Sequence, residues 1–172
     1  MRKLLSQIKP SPINEEIYST TDLSDLELSL RELGQLEPVV INSNGNIISG
    51  HRRYYSMTRL GWKECEVRVQ DYENETIALI QYNNHRTKSV SDIHNEFRIL
   101  EKEYKKRLGG SGRRSDLEKG KKRFHTVVEA SKTIGVGTTK LKQIKSIYNY
   151  EPSLLTKIDK GEISVPQAYK YV

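Results

Sequence analysis

The sequence predicts an α+β fold for roughly its first half, followed by helices only. Three observations carry this. Short apolar runs bounded by turn residues alternate with amphipathic stretches up to residue 108, a glycine- and charge-rich stretch comes next, and from there on the apolar residues recur only at helical spacing.

The first element lies in "STTDLSDLELSLRELGQLEPVVI", which places Ser24 as an N-cap with Glu27 three residues on, the reciprocal pattern that satisfies helix-start donors. Leu23, Leu26, Leu30 and Leu33 form one apolar stripe, and Gly34 stands where a helix ends in a left-handed residue. "EPVVI" reads as a strand, Asn44-Gly45 as a tight turn and "NIIS" as the hairpin partner. Arg52 to Leu60 is helical and closed by Gly61, and "ECEVRVQ" alternates as a half-buried strand. "NETIALIQYNNH" is a helix, and "SDIHNEFRILEKEYKKRL" a longer one with Ile93, Phe97, Leu100 and Tyr104 on one side.

Composition narrows the classes. The chain of 172 residues has ordinary apolar and charged fractions and no apolar run long enough to span a membrane. Its opening "MRKLLSQIKPSPINEE" lacks the apolar core and cleavage site of a secretory signal, and its single Cys65 cannot build an intramolecular disulfide. Both point to a cytoplasmic protein with no membrane partner. Charge is divided unevenly. Residues 1–100 hold 12 Lys+Arg against 14 Asp+Glu, residues 101–172 hold 17 against 8, and residues 105–145 hold 13 against 3. Such a basic stretch attracts a polyanion such as nucleic acid; a solvated basic loop is the alternative that charge alone leaves open.

Two stretches carry chemistry. In "NGNIISGHRRYYSMTRLGW" a strand ends in Gly50 and feeds a helix through His51, Arg52 and Arg53. Unpaired backbone N–H groups, the positive end of the helix dipole and guanidinium forks there converge on one point, which suits an anion. An arginine pair opening a helix also serves as a surface partner for acids such as Glu64 or Glu66. The second stretch, "VVEASKTIGVGTTKLKQI", fits a helix-turn-helix. Ala130 and Ser131 allow close approach, Gly135 after Ile134 makes the turn, and Val136, Leu141 and Ile144 are buried anchors, leaving Thr138, Thr139, Lys140, Lys142 and Gln143 to face a DNA groove. Gln143 suits a base edge, the hydroxyls and lysines suit phosphates, and Arg113, Arg114, Lys121, Lys122 and Arg123 in the basic stretch would hold the backbone. Ordinary helical hairpins share this apolar spacing. No His/Cys spacing suits zinc, no compact acidic cluster suits a metal nuclease, and Glu15, Glu16 and Glu37 are scattered acids rather than a defined base.

The order "GQLEPVVI", "GHRRYYS", "NNHR" and then a helix-turn-helix resembles the ParB/sulfiredoxin-like superfamily, in its ParB-like DNA-binding branch, over roughly residues 4–150. The tail "PSLLTKIDKGEISVPQAY" is similar to the segment after the helix-turn-helix in such proteins. The resemblance implies a ParB/sulfiredoxin-like domain with a small mixed sheet at 1–90, a connecting helix at 91–108, a basic linker at 109–125 and a helical DNA-binding domain at 126–172. In ParB a GxxRxxA loop binds the triphosphate of CTP and an ENxxR segment adds phosphate and metal contacts. Gly50 and Arg53 match the first, with Ser56 at the small position, and Asn83 and Arg86 match the second. The implied nucleotide site is therefore Gly50, His51, Arg52, Arg53, Asn83 and Arg86, holding a nucleoside triphosphate such as CTP, with Mg as an accompanying ion. The implied function is sequence-specific, nucleotide-gated binding of double-stranded DNA in plasmid or phage partition, maintenance or transcriptional regulation, and the reading leaves room for a homodimer. Two departures weaken hydrolysis: His51 stands where ParB has glutamate and Tyr82 where ENxxR has its acid. The sulfiredoxin nucleophile is also missing, since His51 occupies the position where that enzyme has cysteine. The rival reading is an enzyme on the same fold, a small-molecule kinase, NTPase or nuclease.

Overall fold

The structure, a computed structural model, describes residues 1–18, 22–107 and 126–172. The chain folds as two compact units, residues 1–83 and 84–172.

The first unit is built on a four-stranded mixed sheet: β1 (Arg2–Leu4), β2 (Val39–Ile41), β3 (Ile47–Ser49) and β4 (Glu64–Val69), in the order β1-β4-β2-β3. β2 and β3 form the expected antiparallel hairpin, β4 runs parallel to β2 with Val39 opposite Val67, and β1 closes the other edge antiparallel to β4. The hairpin loop is held by Asn42, whose Oδ1 accepts the Asn46 N–H at 2.8 Å while its Nδ2 donates to Glu75 at 2.7 Å. Gln35 adds a contact to β4 ahead of the first β2–β4 pair: its amide donates to Glu66 O at 2.8 Å and accepts the Glu66 N–H at 2.7 Å.

Alternation along the strands supplies two apolar faces, and helices cover both. Val39, Ile41, Ile47, Cys65 and Val67 face α2 (Ser24–Leu33) and α3 (His51–Arg59) through Leu30 and Met57. Val40 and Ile48 face α4 (Glu75–Tyr82) through Ala78, with Tyr72 and Tyr82 packed at the margin. Each fully buried Val, Ile or Leu contributes about 1.5–3 kcal/mol relative to exposure, so these two layers drive the unit's folding.

Three local expectations need correction. Ser24 is not the N-cap of α2: Leu23 holds that position, and the Asp22 carboxylate takes both the Ser24 N–H, at 2.9 Å, and its hydroxyl. Leu33 does not join the buried stripe of Leu23 and Leu30 but is 63% exposed. The opening residues, which carry no predicted element, contain β1 and the short helix α1 (Pro12–Ile17), because pairing with β4 and burial of Leu5, Ile8 and Ile17 order a segment whose own periodicity is too short to see.

The second unit is helical: α5 (Val90–Arg107), α6 (Thr126–Ile134), α7 (Thr138–Tyr150), α8 (Ser153–Asp159) and α9 (Val165–Tyr169). Its core joins Ile93, Phe97, Leu100 and Tyr104 of α5 to Ala130 and Ile134 of α6, Leu141, Ile144 and Ile147 of α7, and Leu155 and Ala168. Asp159, the last residue of α8, caps α5, accepting the Val90 N–H at 2.6 Å, the Ser91 N–H at 3.2 Å and the Ser91 hydroxyl. Ser164 and Gln167 form a reciprocal capping box on α9. Among the described residues no helix is long and apolar enough to cross a membrane.

Candidate functional site

The first candidate site begins at Gly50, the N-cap of α3, with φ 100 and ψ 21. A side chain is disfavoured at that φ, and a Cβ there would lie 3.2 Å from Arg53 Nη2 and 3.4 Å from the Val39 Cα. The Arg53 guanidinium therefore lies over a bare stretch of backbone. Behind it, α3 starts with no side-chain cap and no acid in its first turn, so its first amides and its dipole present uncompensated positive character.

Both arginines are braced by main-chain carbonyls from other elements. Arg53 Nη1 donates to Glu37 O at 3.2 Å, and Arg52 Nη2 to Asp22 O at 3.1 Å. Neither is taken up by Glu64 or Glu66, which lie beside Arg2 at 3.0 and 3.9 Å. Burial pulls the Arg53 pKa below the ordinary guanidinium value, an effect opposed by the nearby Glu37 carboxylate. A half-buried fork with one hydrogen bond of the five it can donate is suited to an incoming oxyanion.

His51 behaves differently from its two neighbours. Its Nε2 accepts the Ser11 N–H at 3.1 Å, and burial lowers its pKa to about 4. The imidazole is therefore neutral near pH 7 and adds no charge to the site; it anchors the segment before α1 to the start of α3. Ser11, which sets this tautomer, carries no sequence signal for such a role.

The second matching segment is divided between the units. Asn83, the C-cap residue of α4 and last residue of the first unit, donates from Nδ2 to Leu79 O at 2.9 Å, while Arg86 belongs to the second unit. Tyr82, at the position of the family's acid, shares a 2.6 Å hydrogen bond with the Tyr72 hydroxyl and accepts from Arg68 at 3.1 Å. Burial, then the bond to Tyr82, pushes the Tyr72 hydroxyl up to about 12, so Tyr72 stays protonated. Glu15 is also engaged, accepting the Tyr55 hydroxyl at 2.7 Å. Among the described residues no group of three His, Cys, Asp or Glu side chains is arranged to hold a metal ion.

The second candidate site is the α6–α7 pair. Ile134 ends α6, Gly135 has φ 77, and α7 starts at Thr138. Ala130 and Ser131 are buried, and the Ser131 hydroxyl donates to Val128 O at 2.8 Å and meets the Thr138 hydroxyl at 3.0 Å. Thr138 is thus engaged in joining the two helices. Thr139, Lys140 and Lys142 are exposed and Gln143 is half-buried, while Leu141 and Ile144 point into the core. Lys145 is drawn away from solvent by Glu101 at 3.0 Å and the Phe97 ring at 4.9 Å. Arg113, Arg114, Lys121, Lys122 and Arg123 lie outside the described residues.

A mixed sheet that delivers a glycine and two braced arginines to a helix start, followed by a separate helical unit, defines a two-part protein with an α+β first unit and a helical second one. Residues 3–84 match the family model of the ParB N-terminal domain. The first unit is thus a ParB N-terminal domain, and the chain is ParB-like over this part. The chromosome-partitioning protein Spo0J of Thermus thermophilus is 22% identical over 98% of this chain and 58% of its own length. The nucleoid occlusion protein of Geobacillus kaustophilus is 31% identical over 38% of this chain and 26% of its own length. The chain thus spans about a quarter to somewhat over half of these relatives. Among solved structures, the Pnob8-like ParB-N domain superposes with TM-score 0.65 at 18% identity, covering 98% of this chain and 77% of that one. The C-terminally truncated ParB of Caulobacter crescentus, solved in complex with the centromeric parS site, gives 0.64 at 15% identity, covering 98% and 82%. At these identities the likeness establishes the fold.

Proposed function

We propose that this chain is a sequence-specific double-stranded DNA-binding protein of the partition type, in which α6 and α7 form a helix-turn-helix and the Gly50–Arg53 loop binds a nucleoside triphosphate that gates DNA binding. The observation that carries the DNA reading is α7. Its 13 residues contain no acid, it presents Lys140 and Lys142 to solvent, and its amino-terminal end is free of a side-chain cap. Such a helix start favours phosphate, and the exposed residues beyond it suit base edges. The fold likeness to a ParB solved on parS, and the 13-to-3 basic excess of residues 105–145, support the same reading.

The nucleotide arm rests on Gly50 and the Arg53 fork, with CTP the nucleotide the family resemblance implies. Residues 50–53 fit a triphosphate: a backbone without side chain for close approach, helix-start amides, and guanidinium donors. Arg53 and Arg52 would hold phosphate oxygens, Asn83 and Arg86 would add contacts from the second motif, and Mg would be carried chiefly by the phosphates and water, since no acid cluster stands ready for it among the described residues.

Selection of bound duplexes from a random pool tests the DNA arm; enrichment of one sequence is expected, and uniform recovery would refute it. Calorimetric titration with CTP, ATP and GTP tests the nucleotide arm. Each charge-assisted phosphate contact is worth roughly 1.5–3 kcal/mol, so Arg53→Ala should weaken binding about ten- to a hundred-fold. Equal affinity of wild type and variant would remove the loop from the site.

A further inference from the structure

Lys88 is a charged residue in the core of the second unit. Its side chain is 5% exposed, and that of its partner Glu96 is 0% exposed. A lysine ammonium has three N–H donors, and here three acceptors from three parts of the unit meet it: the Glu96 carboxylate of α5 at 2.9 Å, Asn84 Oδ1 at 3.3 Å, and Ile134 O at 3.0 Å. The last is one of the carbonyls that a helix end leaves without an intrahelical partner, and it lies one residue before the turn into α7. A cation at that point also complements the negative end of the α6 dipole.

The turn is held from a second side. The Asn84 amide lies against Gly135, close enough that a Cβ on the glycine would meet its Cγ at 3.5 Å. Gly135 and Val136 both donate their N–H to Ser131 O at 3.0 Å, so the turn has one compact conformation for these groups to grip. A buried ion pair is seldom more stabilising than an apolar pair of similar size, and its better-attested use is to fix register.

We infer that Lys88 is a positioning residue for DNA recognition: by tying the last carbonyl of α6 to Glu96 and Asn84, it sets the α6–α7 turn on α5 and so fixes where α7 presents Lys142 and Gln143. The inference rests on α7 as the DNA-contacting helix. Lys88 itself touches no DNA and carries no charge to the surface. Its loss therefore acts on discrimination between sequences and leaves general attraction to the phosphate backbone in place.

Removing Lys88 alone would take an ammonium partner from a buried carboxylate, so the test pairs Lys88→Met with Glu96→Gln in the full chain, which takes away both charges and keeps a polar group on α5. Three quantities are compared with wild type: the thermal transition, amide hydrogen exchange at Gly135 and Val136, and binding across a salt series to the duplex enriched by wild type and to a random-sequence duplex of equal length. A cooperative transition, faster exchange at the turn, a loss of discrimination of at least about five-fold, and unchanged random-duplex affinity and salt slope are expected, five-fold being the lower bound for one misplaced base contact. Wild-type discrimination or wild-type exchange in the folded double variant overturns the inference. If the double variant lacks a cooperative transition, Asn84→Ala, which keeps the ion pair and removes the amide from Gly135, must lower discrimination in the same direction; no change overturns the inference. Failure of wild type to enrich any duplex is a distinct result, refuting the DNA reading on which the inference rests.

Discussion

Two residues of α3 show how single side chains are committed to scaffold or to site. His51 stands between glycine and two arginines, yet it is buried against Ser11 and held at about 4 against an ordinary 6.5. In the unfolded chain it takes up a proton near 6.5, in the folded chain only near 4, so between those values the unfolded state binds more protons. Stability is therefore full above about 6.5 and falls as pH falls toward 4, by up to about 3 kcal/mol for this one group. Burial lowers the His94 pKa to about 4 as well, in the same direction. Thermal transitions measured between neutral pH and about pH 4.5 should drop steadily, and His51→Gln should flatten the slope; an unchanged slope would mean that His51 is solvated in the folded state. Ser56 gives the opposite case. Its hydroxyl is fully buried and has no hydrogen-bond partner, at the position where the family motif carries alanine. An unsatisfied buried hydroxyl costs about 1–3 kcal/mol, so Ser56→Ala should raise the denaturant midpoint, and a lowered midpoint would show that a water or ligand satisfies the group.

At the scale of elements, legibility in the sequence depended on whether the signal was local. The β2–β3 hairpin, α3, β4, α4 and α5 follow from turn residues and periodicity that each segment carries by itself. β1 does not: three residues show no period, and the strand exists because β4 supplies its hydrogen bonds. In the candidate site, the grouping of Gly50 and the two arginines at one helix start was legible, whereas the carbonyls of Asp22 and Glu37 that aim the arginines come from segments whose approach only folding reveals. Lys88 was invisible for a related reason, because in "NNHRTKSVSD" it reads as a solvated charge. The cap of α5 is likewise nonlocal. An acid at the C-terminal end of α8 opposes that helix's own dipole, but the Asp159 carboxylate lies at the start of α5, where negative charge is favourable and three donors wait. Asp159→Ala should cost about 1–2 kcal/mol, and Asp159→Asn, an equally good capping residue, should recover most of it. Denaturant unfolding of both variants checks this; equal loss in both would assign the effect to charge rather than to capping.

For the whole molecule, the proposed DNA binding divides, by the distribution of charge, into two kinds of contact. The first 100 residues carry two more acids than bases, while the 105–145 stretch carries ten more bases than acids. A nearly neutral first part adds little general attraction for a polyanion, so salt-dependent affinity should arise from the basic stretch and specificity from α7. Each neutralised phosphate contributes a slope of about −0.9 in log affinity against log salt. Lys121→Ala with Lys122→Ala should therefore weaken an enriched duplex and a random duplex alike and flatten the slope by about two phosphates' worth. Gln143→Ala should leave random-duplex affinity unchanged and relax preference at one base position by roughly 1–3 kcal/mol. Isotherms on both duplexes across a salt series distinguish the two variants. If both retain wild-type affinity, slope and preference, the exposed face of α7 and the basic stretch are not the DNA-binding surface, and the charge asymmetry serves another polyanion.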